Sequence, residues 1–240
     1  MKYSVFAIVL ALLVSACHTN QEKKATVKPQ TLEASNETKK SEYPYANVNL
    51  YDRFKNELVL DTLKYDREGQ YSPMYIGKIK DSIKLIYKTS KLEYGTDYEH
   101  SSVFPNVSDI SIFIDTTRTI GFPKLMSESY KKFEHRTNKK SYPVFIKNRS
   151  TKNLQIGIGD ILYMNTEAKD STGNWREIES NYMYFCGTGL RRLQLKPNEI
   201  AVTALRQNYG RYKTKFRIRF GGTQHKIYSN EIDGYLDFEL

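Results

Sequence analysis

Arg211-Tyr212-Lys213-Thr214-Lys215-Phe216-Arg217-Ile218-Arg219-Phe220 alternates without a break. Every second residue is a base, and every residue between is aromatic, Ile or Thr. Neighbours in an extended strand point to opposite faces. The segment therefore predicts a strand with Tyr212, Thr214, Phe216, Ile218 and Phe220 turned to a core and five bases turned away from it.

The residues around this strand read the same way. Segments 142–147, 156–163, 175–178, 200–205, 227–230 and 235–238 are short, and each carries Ile, Val, Tyr, Phe or Trp. Turn residues separate them, as in Asn148-Arg149-Ser150 and Asp170-Ser171-Thr172-Gly173-Asn174. Many short strands without a helix between them predict a sandwich over 141–240. Leu195-Lys196-Pro197-Asn198-Glu199 resembles the Leu-x-Pro-x-Glu corner of bacterial immunoglobulin-like and fibronectin-like domains. That resemblance implies an immunoglobulin-like β-sandwich and carries no function by itself. The chain has no Cys…Trp…Cys pattern, which sets it apart from antibody domains.

Upstream, 45–124 reads as a second β-rich region. Ile83, Leu85 and Tyr87 share one face of 79–87, and Ile110-Ser111-Ile112-Phe113-Ile114 reads as a well-buried strand. Between the two regions, 125–140 (LMSESYKKFEHRTNKK) is a linker or short helix with Leu125, Met126, Tyr130 and Phe133 on one side. The expected fold is all-β: a C-terminal immunoglobulin-like β-sandwich, 141–240, preceded by an N-terminal β-rich domain, 45–124.

The chain opens with Lys2, an apolar run over 5–14, and Val14-Ser15-Ala16-Cys17. This order predicts a signal peptide, 1–16. The run is too short for the ~20 apolar residues of a membrane span. Val14-Ser15-Ala16-Cys17 resembles the lipobox of bacterial lipoproteins. The resemblance implies cleavage before Cys17, acylation of its sulfur, and attachment to a membrane through the N-terminal lipid. Residue 18 is His and not Asp, so the inner-membrane retention signal of some lipoproteins is absent and the outer membrane is expected. Residues 17–44 are then the lipidated Cys and a polar, disordered tether. With Cys17 acylated, Cys186 has no partner for an intramolecular disulfide and reads as a buried thiol.

Net charge is +10, and it is uneven. Residues 131–240 hold twenty bases and eleven acids, whereas 45–130 hold eleven and twelve. Such asymmetry points to an anionic partner. Arg211, Lys213, Lys215, Arg217 and Arg219 are the candidate anion-binding residues. An anionic glycan, a lipid headgroup or an acidic protein is the expected partner. Nucleic acid is not expected outside the cytoplasm. A facing row of carboxylates on a neighbouring strand would instead make the bases part of the structure. If the row is open to solvent, changing Lys213, Lys215 and Arg217 to Gln should move stability by no more than ~0.5 kcal/mol per site.

Asp61-Thr62-Leu63, Asp81-Ser82-Ile83, Asp115-Thr116-Thr117 and Asp170-Ser171-Thr172 share one shape. They resemble the consensus of a bacterial periplasmic O-glycosylation system, which makes Thr62, Ser82, Thr116 and Ser171 candidate sites. Asp followed by Ser or Thr also caps turns. His18, His100, His135 and His225 are scattered, and HExxH, Cys-x-x-Cys and Gly-x-Ser-x-Gly are absent. The sequence therefore suggests no catalytic residue, metal or cofactor. Tyr is abundant, at 19 residues, with Trp175 the single Trp. The expected function is non-enzymatic binding or assembly at the cell envelope. The alternative is a periplasmic hydrolase whose site is built from dispersed carboxylates.

Overall fold

The computed structural model describes residues 43–52, 58–62, 68–69, 71–86, 102–123, 138–159, 161–181, 192–221, 226–237 and 240. All regular elements among them are strands, as the sequence predicts. The signal peptide, Cys17, most of the tether, residues 125–137, Cys186 and all four His lie outside the described residues. Tyr43, placed at the end of the tether by sequence, sits edge-on to Phe113 at 5.7 Å.

The first sheet is built on Asn138–Asn148, an 11-residue strand. One edge pairs antiparallel with Glu199–Arg206, from Ile200↔Lys147 to Arg206↔Ser141. The other edge takes Ile110–Ile114 and then Ile120–Pro123, both antiparallel. Tyr75–Lys78 adds outside Glu199–Arg206. The sheet is thus continuous across 125–140, the segment that the sequence offered as a divide, and Ser41–Leu240 is one compact unit. Residues 138–140 of that segment are strand.

The reason is visible in the apolar residues. Ile200-Ala201-Val202 and Val144-Phe145-Ile146 are buried along their whole length. A strand apolar on both faces needs cover on both faces. Val144, Ile146, Ala201, Leu205, Ile110, Ile112 and Ile114 face one core. Phe145, Ile200, Val202, Ala204, Ile120 and Phe122 face another, closed by Tyr45, Val48, Met74, Ile83 and Leu85 from upstream. Tyr45 stacks flat on Phe145 with centroids 4.2 Å apart. Each such side chain contributes ~1.5–3 kcal/mol by leaving water, and both cores draw on residues from either side of 125–140.

The second sheet centres on Met164–Lys169. Trp175–Glu177 pairs on one side and Tyr212–Phe220 on the other, all antiparallel. Ile227–Tyr228 and Ile232–Leu236 pair with the outer edge of Tyr212–Phe220. Met164, Ala168, Phe216, Ile218, Phe220, Ile232 and Leu236 meet the inner residues of the first sheet in one core, which makes the arrangement a sandwich. A small sheet of Leu154–Ile158, Ile161–Leu162 and Arg192–Leu195 extends this core at the Asn148 end. There the Asn148 side-chain amide donates to the Leu195 carbonyl at 2.8 Å.

The corner 195–199 works as its residues suggest. The Glu199 amide donates to the Lys196 carbonyl at 3.1 Å, closing a turn with Pro197 and Asn198 in the middle. Asn198 has φ of 62°, a conformation that Asn tolerates better than most residues. The Glu199 carboxylate accepts from the Lys196 amide at 2.9 Å and holds the two strand ends together. Leu195 and Ile200 on either side are fully buried.

Candidate functional site

The alternation of 211–220 survives intact, but its basic face is not one open stripe: Arg211, Lys213 and Lys215 are exposed, Arg217 is half-buried and Arg219 is buried. Thr214, Phe216, Ile218 and Phe220 are buried in the core as expected. On the opposite face, the register sets Glu167 across from Arg217 and Asp233 across from Lys215. Arg217 donates to Glu167 at 2.7 and 2.8 Å. Arg219 reaches Glu167 at 3.0 Å and Glu177 at 2.5 Å, and the whole residue is only 8% exposed. Lys215 pairs with Asp233 at 2.9 Å, which lowers the Asp233 pKa through the hydrogen bond to Lys215. The Arg217 guanidinium lies 4.0 Å from the Trp175 ring centroid and 3.7 Å from that of Tyr228.

Lys215, Arg217 and Arg219, expected to bind an external anion, therefore have internal ones. Arg211 and Lys213 are exposed, and so are Lys215 and its partner Asp233, whereas Arg217 and Arg219 sit deeper in the sheet face. The carboxylates come from neighbouring strands, so the pattern within 211–220 could not reveal them. The available signal was the alternation of Asn165, Glu167 and Lys169 on one face of Met164–Lys169.

The four Asp-Ser/Thr motifs divide by surroundings. Asp115 is fully buried and accepts from the Thr117 amide at 2.9 Å, from the Thr117 hydroxyl at 2.5 Å, and from Arg118. Asp170 accepts from the hydroxyl and amide of Thr172, the Asn174 amide and Arg176. Both Asp residues cap turns, while Thr116 and Ser171 beside them are exposed. Ser82 is exposed in a strand that pairs parallel with 49–51, and Thr62 lies in a strand paired with Asn208–Tyr209. Asp61, next to Thr62, is buried between Lys139 at 3.2 Å and Arg206 at 3.3 Å.

The hydrogen bond from Thr172, with help from Arg176, lowers the Asp170 pKa to about 2. An unfolded chain would return it to ~3.9. A depressed folded value means that this carboxylate supports the fold above the unfolded pKa and stops doing so as pH falls through the folded one. The 170–176 turn should hold at pH 5 and loosen between about pH 4 and 2. Urea midpoints of the native chain and Asp170→Asn, compared at pH 6 and pH 3, check this. The gap between them should shrink at pH 3, and a constant gap would contradict it.

Carboxylates that the fold buries are all engaged among the described residues. Besides Asp61, Asp115, Asp170 and Glu167, Glu179 accepts from the Tyr71 hydroxyl at 2.6 Å, and the same hydroxyl contacts Thr166. Among the described residues, no group of three or more His, Cys, Asp or Glu is placed to hold a metal ion.

A cavity of about 270 Å³ opens at the Lys140 end of the sandwich, opposite the small sheet. Lys140, Tyr142 and Leu205 come from the first sheet, and Phe216, Ile232 and Tyr235 from the second. Gly234 lets this wall close: a Cβ there would lie 2.5 Å from the Phe216 ring. Burial raises the Tyr142 pKa, so its phenol stays neutral. Gln207 and Asn208 leave the Glu199–Arg206 strand at the cavity wall. The Gln207 side-chain nitrogen and the Asn208 side-chain oxygen are buried without a hydrogen-bond partner. Sequence reading missed this site, because amides beside a strand end form no motif and Lys140 fell in the presumed linker. No protein-family model matches the chain, and no curated protein or solved structure is significantly similar to it.

Proposed function

We propose that the chain is a lipid-anchored protein of the bacterial envelope that binds a partner without catalysing a reaction. The anchor rests on Val14-Ser15-Ala16-Cys17 after the apolar run, with Cys17 as the acylated residue. The outer membrane is the proposed location, following from His at position 18. An anionic glycan, a lipid headgroup or an acidic protein is the proposed class of partner, from the excess of bases in 131–240.

The observation that favours a binder over a hydrolase is the use of the carboxylates. A hydrolase of the dispersed-carboxylate type needs two acids close together, one free to give a proton and one free to accept it. Asp61, Asp115, Asp170, Glu167 and Glu179 are each tied to a base or a hydroxyl. The cavity is lined by aromatic rings, amides, Lys140 and Arg206, and its one acid, Asp233, is paired with Lys215.

Expressed with its native N-terminus, the chain should partition with membranes after a high-salt wash. Cys17→Ala should yield an unprocessed or soluble form. A Cys17→Ala protein that is still cut at the same bond and stays with the membrane would rule out the anchor.

A further inference from the structure

We infer that the cavity at the Lys140 end of the sandwich binds a small amphipathic anion, an apolar body that carries one carboxylate. This rests on the reading of the body as a binder and adds a small-molecule ligand to the partners named above.

The first observation is a pair of open donors. Lys140 and Tyr142 lie two residues apart on Asn138–Asn148, so their side chains leave the same face of that strand, roughly 7 Å apart, and both line the cavity. Among the described residues, neither the Lys140 ammonium nor the Tyr142 hydroxyl has a hydrogen-bond partner, and neither is sealed from solvent. Burial raises the Tyr142 pKa, so the phenol keeps its proton to donate. A carboxylate has two oxygens that only accept, and it can take one bond from each donor. The unmet amide atoms of Gln207 and Asn208 are closed to any ligand and play no part.

The second observation is the state of the other charges. Arg206 also lines the cavity, but its guanidinium carbon lies 5.5 Å from the ring centroid of Phe122, a residue of the other core, and it pairs with Asp61 at 3.3 Å. Lys139 holds the same Asp61 at 3.2 Å. Asp233, the one acid of the lining, pairs with Lys215 at 2.9 Å. The cavity and these partners thus hold four bases, Lys139, Lys140, Arg206 and Lys215, against two acids, Asp61 and Asp233. Of the four, Lys140 is the one without an acid beside it among the described residues. That balance favours an anion over a cation, and a bond from an ammonium to a carboxylate is of the strong, charge-assisted kind.

The third observation is the apolar part of the lining. Leu205, Phe216 and Ile232 are buried, and Leu60 and Tyr235 stand at the mouth, 43% and 47% exposed. A carboxylate bound alone would leave these surfaces wet, so a ligand gains affinity by covering them with an apolar body. At about 270 Å³ the space lies just under the ~300–1,000 Å³ of drug-sized sites, which suits a short aliphatic chain or a single ring.

Calorimetric titration of the full chain with hexanoate, 1-hexanol, hexylammonium and acetate tests this. Hexanoate should bind about tenfold tighter than 1-hexanol, through the bonds from Lys140 and Tyr142, while hexylammonium and acetate should give no measurable heat. Lys140→Gln should erase the gap between hexanoate and 1-hexanol. Tyr142→Phe should narrow that gap and leave 1-hexanol binding unchanged, and it decides the matter by itself should the Lys140 variant fail to fold. The inference is overturned if hexanoate does not bind, if any of the other three binds as well as hexanoate, or if a folded variant of either kind keeps the full preference. Turnover of methyl hexanoate by the chain would sink the binder reading instead and leave the ligand class standing.

Discussion

Arg118→Met should lower unfolding stability by about 3–5 kcal/mol, the usual result of stripping one partner from a buried ion pair. Asp115 is fully buried, and Arg118 meets its carboxylate at 2.5 and 2.6 Å. The same guanidinium donates to the Tyr45 carbonyl at 3.1 Å and to the Val48 carbonyl, and its carbon lies 5.3 Å from the Phe145 ring centroid. Arg118 therefore both neutralises a buried charge and fastens the 43–48 turn over the second core. Met fills much of the space and supplies no donor. Asp115 keeps its two bonds from Thr117, which should hold the loss to the lower part of the range. Urea denaturation reads the stability, and limited proteolysis near residue 45 should speed up in the variant. A loss below ~1 kcal/mol would mean that solvent already satisfies Asp115.

The second large effect lies on the outer face of the other sheet. Arg217→Gln should destabilise by about 2–4 kcal/mol, because it leaves Glu167 short of a partner and empties the slot between Trp175 and Tyr228. Lys213→Gln, two residues away on the same face but exposed, should change stability by no more than ~0.5 kcal/mol. The contrast matters more than either value. Taken as a solvated stripe, 211–219 predicts small effects at both positions. With carboxylates opposite, the two sites differ severalfold. Trp175 fluorescence reports the change directly, since its ring stacks on the guanidinium that is removed. Equal, small effects at both sites would return Arg217 to the surface.

These two cases mark what the sequence could disclose. Alternation in 211–220, the β-branched run of 110–114 and the Lys196-Pro197-Asn198-Glu199 corner are local signals, and the structure carries each as a strand or turn. Strand faces follow from a period of two within one segment. Partners do not. Nothing near Ile110 indicates that it pairs opposite Asn148, nor does Tyr75 indicate Val202. The charge state of the basic face hung on that missing register, because Glu167 and Asp233 lie in strands far from it in sequence. The cavity was hidden for the same reason. Lys140, Gln207 and Tyr235 come together only when two strands from different sheets meet the segment that follows Glu199–Arg206. Even the continuous apolar run of 200–205, legible as a strand, did not say that its second face is covered by residues from 45 to 85.

That shared cover is the central claim, and the cavity draws on it too, since Leu60 at its wall comes from the upstream part of the chain. Expressing residues 139–240 alone tests it most directly, with Trp175 fluorescence and far-ultraviolet dichroism as readouts against the intact chain. The account predicts a fragment without native signal by either readout, since Phe145, Ile200 and Val202 would lose the layer that buries them. A fragment that folds cooperatively with the Trp175 spectrum of the whole chain would contradict it and place the core within the C-terminal half alone.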